Sequence, residues 1–164
     1  HFHLTKSSTA LLVFAAPPTT AVPLHVDFDH VFVKTEKADA TYSYKQAYGY
    51  FPGVISIDCI IAYIENSTAN PVKFHQADTL SRAFKLLHSY GFHIGIFRAD
   101  CGFCSKGIIR TVDGNCRIFY IRAIHSASMY SRIQDIREWR RVEMGSQETE
   151  VASVMSTQFM KDSR

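Results

Sequence analysis

The sequence predicts an α/β domain built on a mixed sheet: three antiparallel strands, a crossover helix, a parallel strand, then a second helix and strand. Three observations lead there. A segment with clean period-two alternation opens the regular part of the chain, and two β-branched runs follow it as a hairpin. An amphipathic helical stripe then separates that hairpin from a buried-type strand. With 164 residues, 46% hydrophobic and 20% charged, the chain is long enough and apolar enough to bury one core.

Residues 1–23 read as a linker or remnant of an upstream region, because Pro17, Pro18, Thr19, Thr20 and Pro23 punctuate them. The apolar run Ala10 to Ala16, which follows Lys6, also has the look of a short secretion signal. Residues 24–164 form the folded region. In Leu24 to Val33, Leu24, Val26 and Phe28 fall on one face and Asp27 and Asp29 on the other. Two carboxylates side by side on a strand repel unless a cation or solvent stands between them. Residues 34–48 are polar and tyrosine-rich and read as a loop. Gly49 to Gly53 starts the next element, and Val54 to Ile57 and Ile60 to Ile64 pair as a hairpin.

Asp78 or Thr79 is the expected cap of a helix whose stripe is Leu80, Ala83, Phe84, Leu87 and Tyr90, and Gly91 stops it. Phe92 to Phe97 is a buried-type strand ending at Arg98-Ala99-Asp100. A short helix over Ser105 to Val112 closes at Gly114, and Cys116 to Ala123 is another strand. Ile133, Ile136 and Trp139 suggest a last short helix, with Trp139 as core. Beyond Arg141 the pattern weakens, as if the domain were truncated at its C-terminus.

This order is the RNase H-like arrangement. A right-handed crossover lays the fourth strand beside the first. The middle of the first strand then meets the carboxyl end of the fourth, where ligand sites of α/β sheets gather. Asp29 (or Asp27) and Asp100 become neighbours. Carboxylates that converge without a basic partner suit hard divalent cations, Mg²⁺ or Mn²⁺, which take oxygen ligands and keep waters for a phosphate to displace. Such ions serve phosphodiester chemistry.

The bulk properties are permissive. A net charge of +3 with eight histidines is compatible with a nucleic-acid partner. No apolar run approaches the roughly 20 residues of a membrane-spanning helix, so no membrane partner is expected. The four cysteines, Cys59, Cys101, Cys104 and Cys116, are too scattered for a disulfide scaffold and point to an intracellular chain with reduced thiols.

From Val26 to about Tyr130 the chain resembles the DDE transposases of the insertion-sequence type. The resemblance rests on Val26-Asp27-Phe28-Asp29-His30, Thr35-Glu36-Lys37-Ala38-Asp39-Ala40 with Tyr44, Gly49-Tyr50-Phe51-Pro52-Gly53 and Ile64-Glu65-Asn66. It continues through Phe74-His75-Gln76-Ala77-Asp78-Thr79-Leu80, Arg98-Ala99-Asp100-Cys101-Gly102-Phe103-Cys104-Ser105 and Phe119-Tyr120-Ile121-Arg122-Ala123. Order and spacing make the match specific. It implies a DNA partner (transposon ends and target), Mg²⁺ or Mn²⁺ as cofactor, and a homodimer for the full-length protein. It implies that the first catalytic Asp lies in the Asp27/Asp29 pair and the second is Asp100. Asp29 fits better, although Val31 stands where the family often has Thr, which keeps Asp27 in play. The third acid, a Glu, belongs on a later helix. Glu143, Glu148 and Glu150 are available, but none has the family's context, and they read as solvated charges.

Other residues invite separate readings. Cys101-Gly102-Phe103-Cys104 is a CxxC that would serve as a redox pair with a lowered thiol pKa, or as half of a zinc site with Cys116 and His125. His30 and His75 could touch substrate or sit as satisfied polar groups at the sheet edge. Arg98, Lys106, Arg117, Arg122, Arg132, Arg137, Arg140 and Arg141 gather positive charge in the second half, either for phosphates or as a solvated face. The rival functions are a stand-alone RNase H-like nuclease, a non-catalytic remnant of a mobile element, and a thiol or zinc module.

Overall fold

The computed structural model describes residues 9–11, 23–58, 60–67, 73–123 and 127–153, without the side chains of 9–11, 73–75, 128 and 132. Contacts divide the chain into two units, His1–Ala123 and Ile124–Arg164.

The first unit is a mixed α/β structure. Its six-stranded sheet comprises β1 (Thr9–Leu11), β2 (Leu24–His30), β6 (Gly53–Ile57), β7 (Ile60–Glu65), β8 (Ile94–Ala99) and β9 (Cys116–Ile121), in the order β1-β7-β6-β2-β8-β9. Between β2 and β6 lie β3 (Val33–Lys34), β4 (Thr41–Tyr42) and β5 (Tyr48–Tyr50), a separate sheet ordered β3-β5-β4. β6 is antiparallel to β2 and β7 to β6, whereas β8 runs parallel to β2 and β9 parallel to β8. The carboxyl ends of β2, β7, β8 and β9 therefore stand at one edge of the sheet.

Alternation decides the faces. Val26 and Phe28 are buried while Asp27 and Asp29 project from the other side. Ile55 and Ile57 do the same on β6. A register shift after Ile55, which pairs with Tyr63 while Ser56 pairs with Ile61, lets the adjacent Ala62 and Tyr63 of β7 both become buried. Two helices, α1 (Lys73–Ser89) and α2 (Lys106–Asp113), pack on the face that carries Val26 and Phe28. Leu80, Ala83, Phe84 and Leu87 from α1 and Ile108 and Val112 from α2 close the core around Phe97.

The helix ends follow local chemistry. Ser105 caps α2 by accepting from the Ile108 N–H. At the end of α1, Gly91 takes φ +79°, its N–H donates to His88 O (2.9 Å), and the Phe92 N–H donates to Leu87 O (3.1 Å). This is the Schellman arrangement, in which the left-handed residue is cheapest as glycine.

Four expectations need correction. Asp78 and Thr79 do not cap α1, which begins at Lys73; the Thr79 hydroxyl is used by Glu65 across to the sheet instead. Residues 34–48 are not wholly a loop, since they carry β4, the last residue of β3 and the first of β5. Strands of two or three residues leave no readable alternation. Their sheet closes tightly at Gly49, where a Cβ would lie 2.5 Å from the Phe32 ring and from Val33 O. Within the expected linker, Thr9–Leu11 pairs with the edge of β7, whose unpaired backbone groups are a template for another strand; the rest of residues 1–22 lies outside the described residues.

The fourth correction concerns the second unit. Here α3 (Ala127–Gln134) stops before Ile136 and Trp139, and β10 (Arg140–Met144) pairs with β11 (Gln147–Val151). Trp139 is 44% exposed rather than core, and its indole N–H donates to Ile136 O at 3.2 Å. The hairpin turns through Gly145-Ser146, with Gly145 at φ +65°, the conformation a two-residue hairpin loop requires.

Candidate functional site

The parallel ladder between β2 and β8 pairs Asp27 with Arg98 and Phe28 with Ala99. The next step along each strand is Asp29 and Asp100. Asp100 keeps an extended backbone (φ −73°, ψ 173°), so the strand geometry runs on to it. Phe28 and Ala99 face the core, and alternation turns Asp29 and Asp100 to the opposite face. Residues distant in sequence are thus brought to adjoining strand ends, one step past the last ladder pair, and both are exposed.

Asp27 stands apart from this pair. Arg98 donates to it from Nε (2.7 Å) and Nη2 (2.8 Å), one bond to each carboxylate oxygen. A planar guanidinium holding a carboxylate in this fork leaves few lone pairs for another cation. Asp29 is differently placed: its Oδ1 accepts from the His30 N–H at 2.7 Å. The Asp100 carboxylate accepts from the Cys101 N–H and caps the 3₁₀ turn Cys101–Phe103. Hydrogen bonds from the Cys101 thiol and from backbone N–H groups, aided by the charge of Arg122, hold the Asp100 carboxyl below its ordinary range. Asp100 is therefore an anion throughout the neutral range.

Rings fasten the two strand ends together. Phe103, in the turn after Asp100, is buried and packs 4.7 Å from the Phe28 ring and 5.2 Å from the His30 ring, centroid to centroid. Phe28 and His30 themselves meet edge-on at 5.4 Å. Burial pushes the His30 imidazole down against the opposing effect of Asp29, so it is held as a neutral ring in an aromatic stack. The His75 side chain lies outside the described residues.

A second polar cluster, which sequence reasoning missed, lies on the helix side of the same sheet edge. Glu65, at the end of β7, accepts from Tyr63 Oη (2.6 Å), Thr79 Oγ1 (3.0 Å) and Arg82 Nε (2.9 Å), with a further bond from Arg82 Nη2. Burial pushes its carboxyl up, but the bonds from Arg82, Tyr63 and Thr79 outweigh this and hold it below the usual range. The only hint in the sequence was the helical spacing of Thr79 and Arg82.

The expected third-acid candidates all sit on the β10–β11 hairpin of the second unit. Glu143 and Glu148 are direct cross-strand partners, and Glu150 lies 3.5 Å from Arg141 in an exposed pair. Among the described residues no group of three His, Cys, Asp or Glu side chains gathers that could hold a metal ion. Asp29 and Asp100 supply two hard oxygen donors, which suits an ion that keeps much of its water shell and takes one or two carboxylates.

Cys101 of the CxxC departs from the lowered thiol that a redox pair uses. The bond to Asp100 pushes the Cys101 thiol up rather than down, and burial pushes the Cys116 thiol up to about 11. His125, the other proposed zinc ligand, lies outside the described residues, as does the side chain of Arg132. Among the described residues no helix is long and apolar enough to cross a membrane.

No protein-family model, curated protein or solved structure matches the chain. The fold is α/β with a mixed sheet, and two exposed carboxylates stand at its edge.

Proposed function

We propose that this chain is part of the catalytic domain of a DDE transposase of the insertion-sequence type, with an RNase H-like fold and DNA as its partner. The observation that carries the reading is the parallel β2–β8 register, whose last pair, Phe28 with Ala99, immediately precedes Asp29 and Asp100. The strand order β7-β6-β2-β8-β9, antiparallel on one side of β2 and parallel on the other, supports the fold assignment. Arg117 on β9 and Arg122 just after it are exposed and suit a polyanionic partner.

In this reading Asp29 and Asp100 hold Mg²⁺ or Mn²⁺. The ion, when bound, supplies Lewis-acid activation for phosphodiester cleavage and strand transfer. The chain's own residues prepare that site. Arg98 withdraws Asp27 from it, the Cys101 bonds keep Asp100 ionised, and the stack of Phe28, His30 and Phe103 fixes the separation of the two strand ends. Two acids bind an ion; the family's full reaction needs the third.

Mn²⁺ titration of the full chain, followed by electron paramagnetic resonance, tests the reading. Asp29→Ala and Asp100→Ala should each weaken binding about tenfold or more, the scale expected when a ligand is lost, with circular dichroism unchanged. Equal binding by wild type and both variants overturns it.

A further inference from the structure

Arg122 follows β9, and its backbone N–H donates to Ala99 O at 3.2 Å, closing the last β8–β9 pair, Ala99 with Ile121. Phe28, Ala99 and Ile121 are thus in register across three adjacent parallel strands. All three pack toward the core. The next residue on each strand is Asp29, Asp100 and Arg122, and alternation puts this row on the opposite face. The register thus brings two acidic residues and a basic one to the same edge of three adjacent strands.

The arginines near the site differ in what occupies them. Arg98 is forked onto Asp27 and Arg82 onto Glu65. Arg122 is exposed, and among the described residues no hydrogen bond or ion pair engages its side chain. Its charge nevertheless reaches Asp100 and Cys101, where it favours the ionised form of each. An uncommitted guanidinium next to two exposed carboxylates presents a fork of donors matched to an oxyanion that lies against the carboxylate edge.

We infer that Arg122 binds a backbone phosphate of DNA beside the Asp29–Asp100 pair and so positions the phosphodiester at that edge. This rests on the function proposed above and names the residue that meets its substrate. The competing role is electrostatic relief of Asp100 alone, which would act on metal affinity and leave DNA untouched.

Fluorescence anisotropy of a labelled DNA duplex with the full chain, across a salt series with and without Mn²⁺, separates these roles. Arg122→Gln should weaken binding uniformly across sequences and reduce the slope of log K against log salt by about 1. Arg122→Lys should recover most of that slope but only part of the affinity, because the charge returns without the fork. Arg110→Gln, an exposed arginine on α2, should leave both unchanged. Mn²⁺ binding by Arg122→Gln should be no weaker than that of wild type, since removing a neighbouring cation relieves repulsion of the metal ion. Wild-type affinity and slope in Arg122→Gln, an equal loss in Arg110→Gln, or no duplex binding by the wild type would each overturn the inference. Failure of the metal site itself shows elsewhere, in Mn²⁺ binding that ignores Asp29→Ala and Asp100→Ala.

Discussion

Glu65 and the Asp29–Asp100 pair stand at the same edge of one sheet, on opposite faces, and the protein treats them differently. Glu65 faces the helices and receives donors from Tyr63, Thr79 and Arg82. Its lone pairs are answered from within, so burial is tolerated and the group locks α1 to β7. Asp29 and Asp100 face away from the helices and receive bonds from their own next residues, leaving oxygens directed at solvent. Asp27 is intermediate, on the exposed face yet fully taken by Arg98. A carboxylate saturated by side-chain donors holds a fold together. One with spare lone pairs beside a second like it is suited to an external cation.

Substitutions can break or sharpen that contrast. The largest effect is expected from Phe103→Ala, which empties a buried ring site between the two strand ends. Stability in urea should fall by about 3–5 kcal/mol, and Mn²⁺ affinity should fall with it. Phe103→Leu should restore most of both, and unchanged Mn²⁺ binding in a folded Phe103→Ala would separate the ring stack from the carboxylates. Next comes Glu65→Ala, which orphans the Thr79 hydroxyl and Arg82 and should cost about 2 kcal/mol with Mn²⁺ binding intact.

The acid limb of stability carries the same signature. Because the folded Glu65 carboxyl lies below its unfolded value, its contribution is present above the ordinary glutamate range. It is lost as pH falls through the lowered folded value. Glu65→Ala should therefore flatten the acid limb, measured as urea midpoints against pH. The smallest effect is expected from Asp27→Asn, which removes an ion pair whose side chains are 56% and 38% exposed. It should cost under about 1 kcal/mol, and Mn²⁺ binding should survive. Loss of Mn²⁺ binding there would shift the ligand role from Asp29 to Asp27.

Much of this was legible in the residues because it is local. Alternation from Leu24 onward, the β-branched pair Val54–Ile57 and Ile60–Ile64, and the stops Gly91 and Gly114 each act within a few positions of themselves. The β10–β11 hairpin was missed, because its strands bury so little that no hydrophobic alternation marks them. The start of α1 was misread because Asp78 and Thr79 are good caps in isolation, and only packing reveals that Thr79 serves Glu65.

The sequence by itself determined which residues alternate, where α1 and α2 stop and that acidic residues lie within the first strand and at the exit of the fourth. Tertiary structure decided the rest: that Arg98 takes Asp27 and leaves Asp29, that Phe103 stacks on Phe28 and His30, and that Arg122 stands in line with Asp29 and Asp100. Those outcomes depend on strand register. Register is set by burying one face of the whole sheet at once, a condition that no short window of residues contains.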